Sequence, residues 1–175
     1  MKHTRLSILL SMVYCLSFYH AFSYSDSTIT SKDLKNLAGY WEGSLTYLDY
    51  SSNKPFSMPA NIVVKDFKNS NLIICSLIYP KEPNANALDT IFISKDGRLL
   101  NNAAITFKRR FNNDSLQVVT EIRGNDGNDN KAAIIRHTYM LGRNSYSVKK
   151  EVQFAGQTAW ILRNEYRFKR VKPGS

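Results

Sequence analysis

The sequence predicts an all-β fold, an up-and-down antiparallel β-barrel of about nine or ten strands that is lipocalin-like and follows a short helical turn. Apolar residues recur at alternate positions in segment after segment, and turn sequences separate these segments at spacings of roughly 8 to 12 residues. Closing such a sheet into a barrel removes its exposed edges. The scarcity of long crossover connections favours an up-and-down barrel over a Greek-key sandwich.

The first 23 residues have the composition of an export signal. Lys2 and Arg5 give a basic start, residues 6–18 are mostly apolar, and residues 21–23 place small side chains where a signal peptidase reads them. Two serines interrupt the apolar run before it reaches the roughly 18 to 20 residues that a membrane-spanning helix needs. We therefore expect a cleaved signal over residues 1–23, a secreted or periplasmic protein, and no transmembrane segment after cleavage.

The remaining chain is predicted to form one basic domain. Loss of the two basic residues of the signal lowers the net charge from +10 to +8, and Cys75 becomes the only cysteine because Cys15 lies in the signal. A lone cysteine in an apolar run is typical of a small buried side chain, so we expect no internal disulfide. Residues 24–33 are predicted to be a flexible spacer, residues 34–171 the barrel, and residues 172–175 a tail.

The strands can be assigned in order along the chain. Ser31 caps a predicted helical turn over residues 32–37. Period-two alternation or a continuous apolar run marks each strand after it. Pro80 and Pro83 define a long loop, because proline cannot donate to the hydrogen-bond ladder of a central strand. The strands are expected at residues 39–50, 56–64, 72–79, 88–95, 103–111, 115–123, 132–141, 145–154 and 158–171.

The opening of the first strand resembles two known signatures. Gly39, Tyr40 and Trp41 resemble the G-x-W motif of the calycins, the superfamily of lipocalins and fatty-acid-binding proteins. This resemblance implies a barrel over about residues 34–171. With Gly43 added, the strand also resembles the G-x-W-x-G start of nitrobindin-type barrels, which implies haem as an alternative ligand.

The calycin resemblance also implies an arginine late in the last strand that packs over the tryptophan and closes one end of the barrel. Arg167 and Arg170 are the candidates. Arg170 is favoured, because it shares a face of the strand with Tyr166 and Phe168 whereas Arg167 points the other way. Together with Gly39 and Trp41, Arg170 completes the structural signature.

If the apolar faces of the strands point inward, several polar side chains accompany them into the barrel. Burying Arg109 or Lys150 without a counter-charge would cost several kcal/mol. Each therefore needs an internal partner such as Asp49, or an anionic ligand, or it lies outside. A β-bulge that turns Arg109 outward, into the basic run of residues 108–110, is the alternative for that residue. The candidate cavity-lining residues are Tyr47, Arg109, His137, Tyr139, Lys150, Trp160 and Tyr166.

Catalytic and metal motifs do not stand out in this sequence. His137 is the only histidine left after signal removal, and it reads either as a structural core residue or as a haem ligand or general base. One histidine and one cysteine do not make a four-ligand zinc site. We therefore predict no catalytic residue, no metal, and no cofactor apart from the haem alternative.

These observations favour an exported lipocalin-like protein that binds a small apolar or amphipathic ligand, with an anionic ligand as one option. A haem-binding or small isomerase-type barrel that uses His137 is the first alternative. A filled barrel that serves as a structural or surface-interaction module is the second. The net positive charge alone would suit binding to nucleic acid, but the export signal argues against that partner. We expect the protein to be a monomer.

Overall fold

The structure, a computed structural model, describes residues 27–49, 52, 54–65, 67 and 70–172. The predicted export signal lies outside the described residues, as do residues 173–175 of the predicted tail. In the part of the chain that is described, no helix is long and apolar enough to span a membrane. The only helical elements there are two 3₁₀ turns, Lys35–Leu37 and Pro83–Ala85.

Ten strands account for most of the described chain, and they confirm the prediction of an all-β, up-and-down barrel. Each strand pairs antiparallel with the next one in sequence, except that β4 and β5 meet only at an Ile93–Leu100 bridge. The barrel is therefore nearly closed. The strands are β1 (Gly39–Asp49), β2 (Lys54–Val64), β3 (Leu72–Ile78), β4 (Ala87–Phe92), β5 (Leu99–Leu100), β6 (Ala103–Arg110), β7 (Leu116–Asp126), β8 (Lys131–Leu141), β9 (Ser145–Phe154) and β10 (Ile161–Val171).

The first and last strands lie side by side. β1 pairs with β10 from Tyr40 opposite Val171 to Tyr47 opposite Asn164, and this ladder joins the two ends of the meander. Trp41 stands opposite Arg170 in the same register. Side chains of directly opposed residues share a face of the sheet, so the ladder brings the indole and the guanidinium together inside one end of the barrel.

Trp41 and Arg170 close that end of the barrel. The indole is 1% exposed and donates from Nε1 to the carbonyl of Leu37 at 2.7 Å. The Arg170 guanidinium carbon lies 4.1 Å from the centre of the indole, and the guanidinium donates to the carbonyls of Asn36, Ala38 and Arg143. One cation thus covers the ring and ties the segment of residues 36–38 and the turn between β8 and β9 to β10.

Residues 27–33 differ from the flexible spacer that the sequence predicts, because they pack against the closed end. Ile29 is fully buried, and its backbone N–H donates to the carbonyl of Gly97 at 2.8 Å. Asp33 pairs with Lys108 at 3.0 Å and with Arg110 at 2.8 Å. A single buried isoleucine and one charged anchor therefore order a stretch whose composition is that of a loop.

Two β-bulges interrupt the alternation of side chains. The register of β6 against β7 shifts between Ile105 and Phe107, and that of β10 against β9 shifts between Leu162 and Asn164. One extra residue in a strand moves every later side chain to the opposite face. Beyond the first bulge, Lys108 opposes the inward Val118 while Arg109 is exposed.

Removing the Arg170 side chain should destabilise the barrel strongly. Arg170→Ala leaves three carbonyls without their donor and uncovers Trp41, so we expect the free energy of unfolding to fall by about 2 to 4 kcal/mol. Urea denaturation followed by tryptophan fluorescence measures it. The matched control is Arg167→Ala on the same strand, whose side chain is 74% exposed and should leave stability close to wild type. Equal losses for the two variants would contradict the role of Arg170 in closing the barrel.

Candidate ligand-binding cavity

A cavity of about 260 Å³ lies inside the barrel, above the Trp41 end. Its apolar wall comes from Ile62, Leu77, Ile91, Val148 and Phe168. Its polar wall comes from Tyr139, Tyr146, Tyr166, His137, Lys150 and Asn164. Asp89 and Asn101 line it next to the incomplete junction of β4 and β5, where both residues are exposed. The cavity therefore combines an apolar surface with a small number of polar groups, as ligand sites do.

The strand register places the polar groups at defined levels. Lys150 of β9 is opposite His137 of β8 on one side and opposite Asn164 of β10 on the other, and Asn164 is in turn opposite Tyr47 of β1. These four residues form a polar belt across four neighbouring strands. The next inward level toward the closed end consists of Tyr139, Val148, Tyr166 and Leu45, and the one after it of Leu141, Tyr146, Phe168 and Gly43.

Aromatic rings form a continuous wall below the polar belt. Tyr166 stacks on Phe168, and Phe168 stacks on Tyr146, with 5.7 Å between ring centres in both pairs. Tyr146 then meets Trp41 edge-on at 6.0 Å. The Tyr166 hydroxyl is hydrogen-bonded to that of Tyr79 at 2.8 Å. Rings in contact with one another hold their orientation, so this wall is a rigid surface for a ligand.

The buried tyrosine and cysteine side chains of the cavity remain protonated at physiological pH. Burial raises the pKa of Tyr139 to about 12 and the pKa of the fully buried Tyr146 well above its usual value. Burial also raises the pKa of Cys75 to about 11, and the thiol donates to the carbonyl of Asp89 at 3.4 Å. A thiol this weakly acidic is a poor nucleophile. These side chains are suited to hydrogen bonding and packing.

His137 also faces the cavity as a neutral group. Burial lowers its pKa below the usual 6.5, and the neighbouring charge of Lys150 lowers it further. Its ring centre is 6.2 Å from that of Tyr139. Among the described residues the imidazole has no hydrogen-bond partner, so it presents one donor and one acceptor to the interior.

Three charged side chains cover the cavity on the side away from Trp41. Asp126 accepts from Lys150 Nζ on one carboxylate oxygen and from Arg163 Nε on the other, both at 2.6 Å. The side chains of Asp126 and Arg163 are each 9% exposed. Burial pushes the pKa of Asp126 upward, but the hydrogen bonds and charges of Lys150 and Arg163 outweigh it and hold that pKa below its usual value. A second space of about 560 Å³, the mouth, borders this cluster and is lined by Tyr47 and Asp49 among others.

Four of the seven predicted lining residues reach the inner cavity, namely His137, Tyr139, Lys150 and Tyr166. Tyr47 lies in the mouth and packs against Phe56 with 5.5 Å between ring centres. Arg109 does not line the cavity, because the bulge in β6 turns it outward, where its guanidinium carbon lies 4.9 Å from the centre of the Phe111 ring.

Trp160 does not line the cavity either. It precedes β10, which begins at Ile161 rather than at the predicted residue 158, and Arg136 from the outer face of the barrel covers its ring at 3.6 Å. The bulge that follows gives Ile161 an inward position opposite Val152 and leaves Leu162 46% exposed. The prediction that Trp160, Leu162 and Asn164 share one face is therefore wrong, because the bulge inserts one extra residue between Leu162 and Asn164.

Sequence reasoning missed Asp126 and Arg163 at the mouth, and Asp89 and Asn101 at the β4–β5 junction. Asp126 belongs to a polar hairpin that reads as an exposed tip, and Arg163 has the parity of an outward residue until the bulge is known. The sequence does indicate the position of Asp89. It precedes the buried Ile91 and Ile93 by two and four residues, so all three side chains lie on the same face of an extended strand.

Metal and haem sites are poorly matched by these residues. In the described ranges, no three histidine, cysteine, aspartate or glutamate side chains are grouped closely enough to hold a metal ion. The unprotonated imidazole of His137 suits iron, but an inner cavity of about 260 Å³ is smaller than a haem macrocycle. The ion pairs of Asp126 separate that cavity from the mouth. The cavity in this form does not fit haem.

This chain is similar to known proteins in fold rather than in sequence. No protein-family model matches it, and no curated protein matches it. Among solved structures, the crystal structure of Rv2717c from M. tuberculosis is similar in fold, with a TM-score of 0.53 and 9% sequence identity over 81% of this chain and 96% of that chain. At this level of identity the similarity supports the barrel fold alone.

His137 should make the stability of the protein depend on pH in the weakly acidic range. Its pKa is lowered in the folded state, so the unfolded state binds a proton first, and the free energy of unfolding should fall as pH drops below about 6.5. Asp33 and Asp126 also have lowered pKa values, but they affect the free energy of unfolding only below about pH 4, where carboxylates begin to take up protons. Urea denaturation at pH 7.5 and 5.0 should show a smaller difference for His137→Gln than for wild type. An equal difference would show that the imidazole titrates normally.

Proposed function

We propose that the protein is an exported, non-enzymatic binding protein that holds a small amphipathic molecule inside the barrel. The observation that carries this proposal is the interior cavity of about 260 Å³, which has apolar side chains on one wall and hydrogen-bonding side chains on another. Export is supported by the signal-like residues 1–23. The basic composition is in keeping with a soluble exported barrel.

The distribution of groups indicates how such a ligand would lie. Its apolar part would contact the aromatic wall and the aliphatic side chains of Ile62, Leu77 and Ile91. Its polar end would face the belt formed by His137, Lys150 and Asn164. Burying about 100 Å² of apolar ligand surface contributes about 2.5 kcal/mol, so a compact ligand gains much of its affinity from the lower wall.

The interior chemistry favours binding over catalysis. Tyr139, Tyr146 and Cys75 are protonated at neutral pH, and His137 is unprotonated but has no hydrogen-bonded acid or nucleophile beside it among the described residues. A general base needs a second group that it activates or that orients it. The same neutral groups form hydrogen bonds to a ligand without a charged group being desolvated.

Filling the cavity should abolish binding at little cost in stability. Val148→Phe places a ring in the cavity, and we expect its affinity for 1-octanol or octanoate to fall at least about tenfold, measured by isothermal titration calorimetry. Because there is room for the ring, the free energy of unfolding should change by less than the 1 to 3 kcal/mol that is typical, roughly, of overpacking a filled core.

The matched control is Ser147→Phe, the adjacent residue, which faces outward and should bind like wild type. If wild type binds neither compound and Val148→Phe is strongly destabilised, the barrel is filled and serves as a structural module. A Soret band after haem addition that disappears in His137→Ala would instead favour the haem alternative. We expect no such band.

A further inference from the structure

We propose that Asp126 is an internal competitor for an acidic ligand, and that the ligand of this cavity is a compact carboxylate amphiphile whose head group replaces Asp126 on Lys150 and Arg163. This inference rests on the proposed function and goes one step further, because it names the head group and the residues that receive it. Three independent features of the structure support it.

The first feature is the geometry of the cluster. The Asp126 carboxylate accepts one hydrogen bond on each oxygen, from Lys150 Nζ and from Arg163 Nε, each at 2.6 Å. Two convergent cationic donors are the arrangement that proteins use to recognise carboxylates. The side chains of Asp126 and Arg163 are 9% exposed and that of Lys150 is 26% exposed, so these hydrogen bonds are largely shielded from water. The structure therefore already contains a carboxylate-binding site, occupied by one of its own residues.

The second feature is the position of the cluster. Lys150 and Asn164 line both the inner cavity and the mouth, whereas Asp126 and Arg163 line the mouth and do not line the inner cavity. Lys150 and Asn164 therefore lie between the two spaces, and Lys150 is the charged residue of the pair. A ligand whose apolar body lies against the aromatic wall would present its polar end to the ammonium group of Lys150. That group already donates to Asp126, so the two carboxylates would compete for it.

The third feature is the ease with which Asp126 can leave. Asp126 is the last residue of β7 and borders the hairpin turn, where Gly127 and Asn130 both have positive φ angles of 78° and 48°. A side-chain rotation there moves the carboxylate toward solvent at the mouth without breaking the ladder of β7 and β8. Replacing one carboxylate by another conserves the number of ion pairs, which avoids the penalty of leaving a buried cation unpaired.

The other aspartates near the cluster, Asp49 in the mouth and Asp129 in the adjoining hairpin, have contacts of their own. Asp49 accepts from the Ser52 hydroxyl at 2.6 Å, and Asp129 pairs with Lys131 at 2.9 Å. Both aspartates add negative potential near the cluster, so they weaken binding of any acid to some degree. We assign the competition to Asp126 because it alone among these carboxylates is shown hydrogen-bonded to both Lys150 and Arg163.

The size of the cavity limits the ligand. About 260 Å³ lies below the range of roughly 300 to 1,000 Å³ that is usual for drug-sized ligands. A medium-chain acid such as octanoate is compact enough to be a suitable probe, whereas a long-chain acid such as oleate is not. 1-Octanol is the matched neutral probe, since it has the same chain length and lacks the charge.

The experiment compares octanoate and 1-octanol on the whole chain by isothermal titration calorimetry at low ionic strength. Asp126→Asn removes the competing charge and keeps the shape, so octanoate should bind about tenfold more tightly than to wild type, while 1-octanol should bind within about threefold of wild type. Lys150→Met in the otherwise unchanged protein should weaken the binding of octanoate at least about fivefold more than it weakens the binding of 1-octanol. Oleate should bind more weakly than octanoate to every variant.

Asp126→Asn leaves two partly buried cations without their carboxylate, which lowers stability. Thermal unfolding of each variant with and without octanoate gives the second readout: octanoate should raise the melting temperature of Asp126→Asn more than that of wild type. The inference is overturned if Asp126→Asn binds octanoate no more tightly than wild type does, or if the substitution raises the affinity for 1-octanol by the same factor. In either case Asp126 is not a competitor. Binding of 1-octanol would still support the proposed function. If neither compound binds any variant, both proposals fail.

Discussion

The ladder between β1 and β10 is the constraint on which the rest of the structure depends. It converts a meander of consecutive hairpins into a barrel, and it does so in a single register that runs from Tyr40 opposite Val171 to Tyr47 opposite Asn164. At one end of the ladder Trp41 stands opposite Arg170, which closes the barrel. At the other end Tyr47 and Asn164 belong to the polar belt. Six residues of strand, about 20 Å, separate the two levels, which leaves depth for a cavity between them.

A slip of this ladder by one residue would damage both ends at once. Trp41 would lose the guanidinium that covers it, and Tyr47 and Asn164 would turn to the outside. Gly43 restricts the register further, because a Cβ atom at this position would approach the carbonyl oxygen of Arg167 within a forbidden distance. Arg170, whose pKa is lowered by burial, is held in place by three backbone carbonyls rather than by a carboxylate. The closed end is therefore held by hydrogen bonds to backbone carbonyls and by the close approach of β1 and β10 rather than by an ion pair.

The sequence predicts the strands well and the facing of individual residues less well, and the two bulges are the physical reason. Alternation identifies every strand of four or more residues, because each strand must bury one face. A bulge inserts one residue and reverses that alternation without changing composition. Trp160, expected inside, therefore lies outside, Arg109 follows the outward alternative that a bulge allows, and the Arg163 side chain, expected outside, is only 9% exposed. The buried Ile29 was also unexpected, since a single apolar residue among serines and threonines has no period to reveal it.

The polar interior carries a cost in stability that the proposed binding function would explain. Thr120 Oγ1 is buried without a hydrogen-bond partner among the described residues, which costs about 1 to 3 kcal/mol relative to a paired hydroxyl. His137 stands opposite Thr120 on the inner face and is likewise unpaired there. A barrel selected only to be stable would carry aliphatic side chains at these positions, as it does at Val118 and Leu116 one and two levels below. Unpaired polar groups at the level of Lys150, above levels lined mainly by apolar and aromatic side chains, are what the proposed site for a polar ligand end requires.

The cavity wall near β4 is held more loosely than the wall near β10. β4 and β5 share one bridge, and Asn101 replaces the missing ladder by donating its N–H to the Phe92 carbonyl and accepting the Phe92 N–H on its side chain, both at 2.8 Å. Asn101 and Tyr139 line the same cavity. Local opening draws on the regions with the fewest backbone hydrogen bonds. Movement of the β4 wall would therefore disturb the contacts of Asn101 and the hydrogen bonds between Ser94 and Leu99, and it would leave the β1–β10 ladder intact.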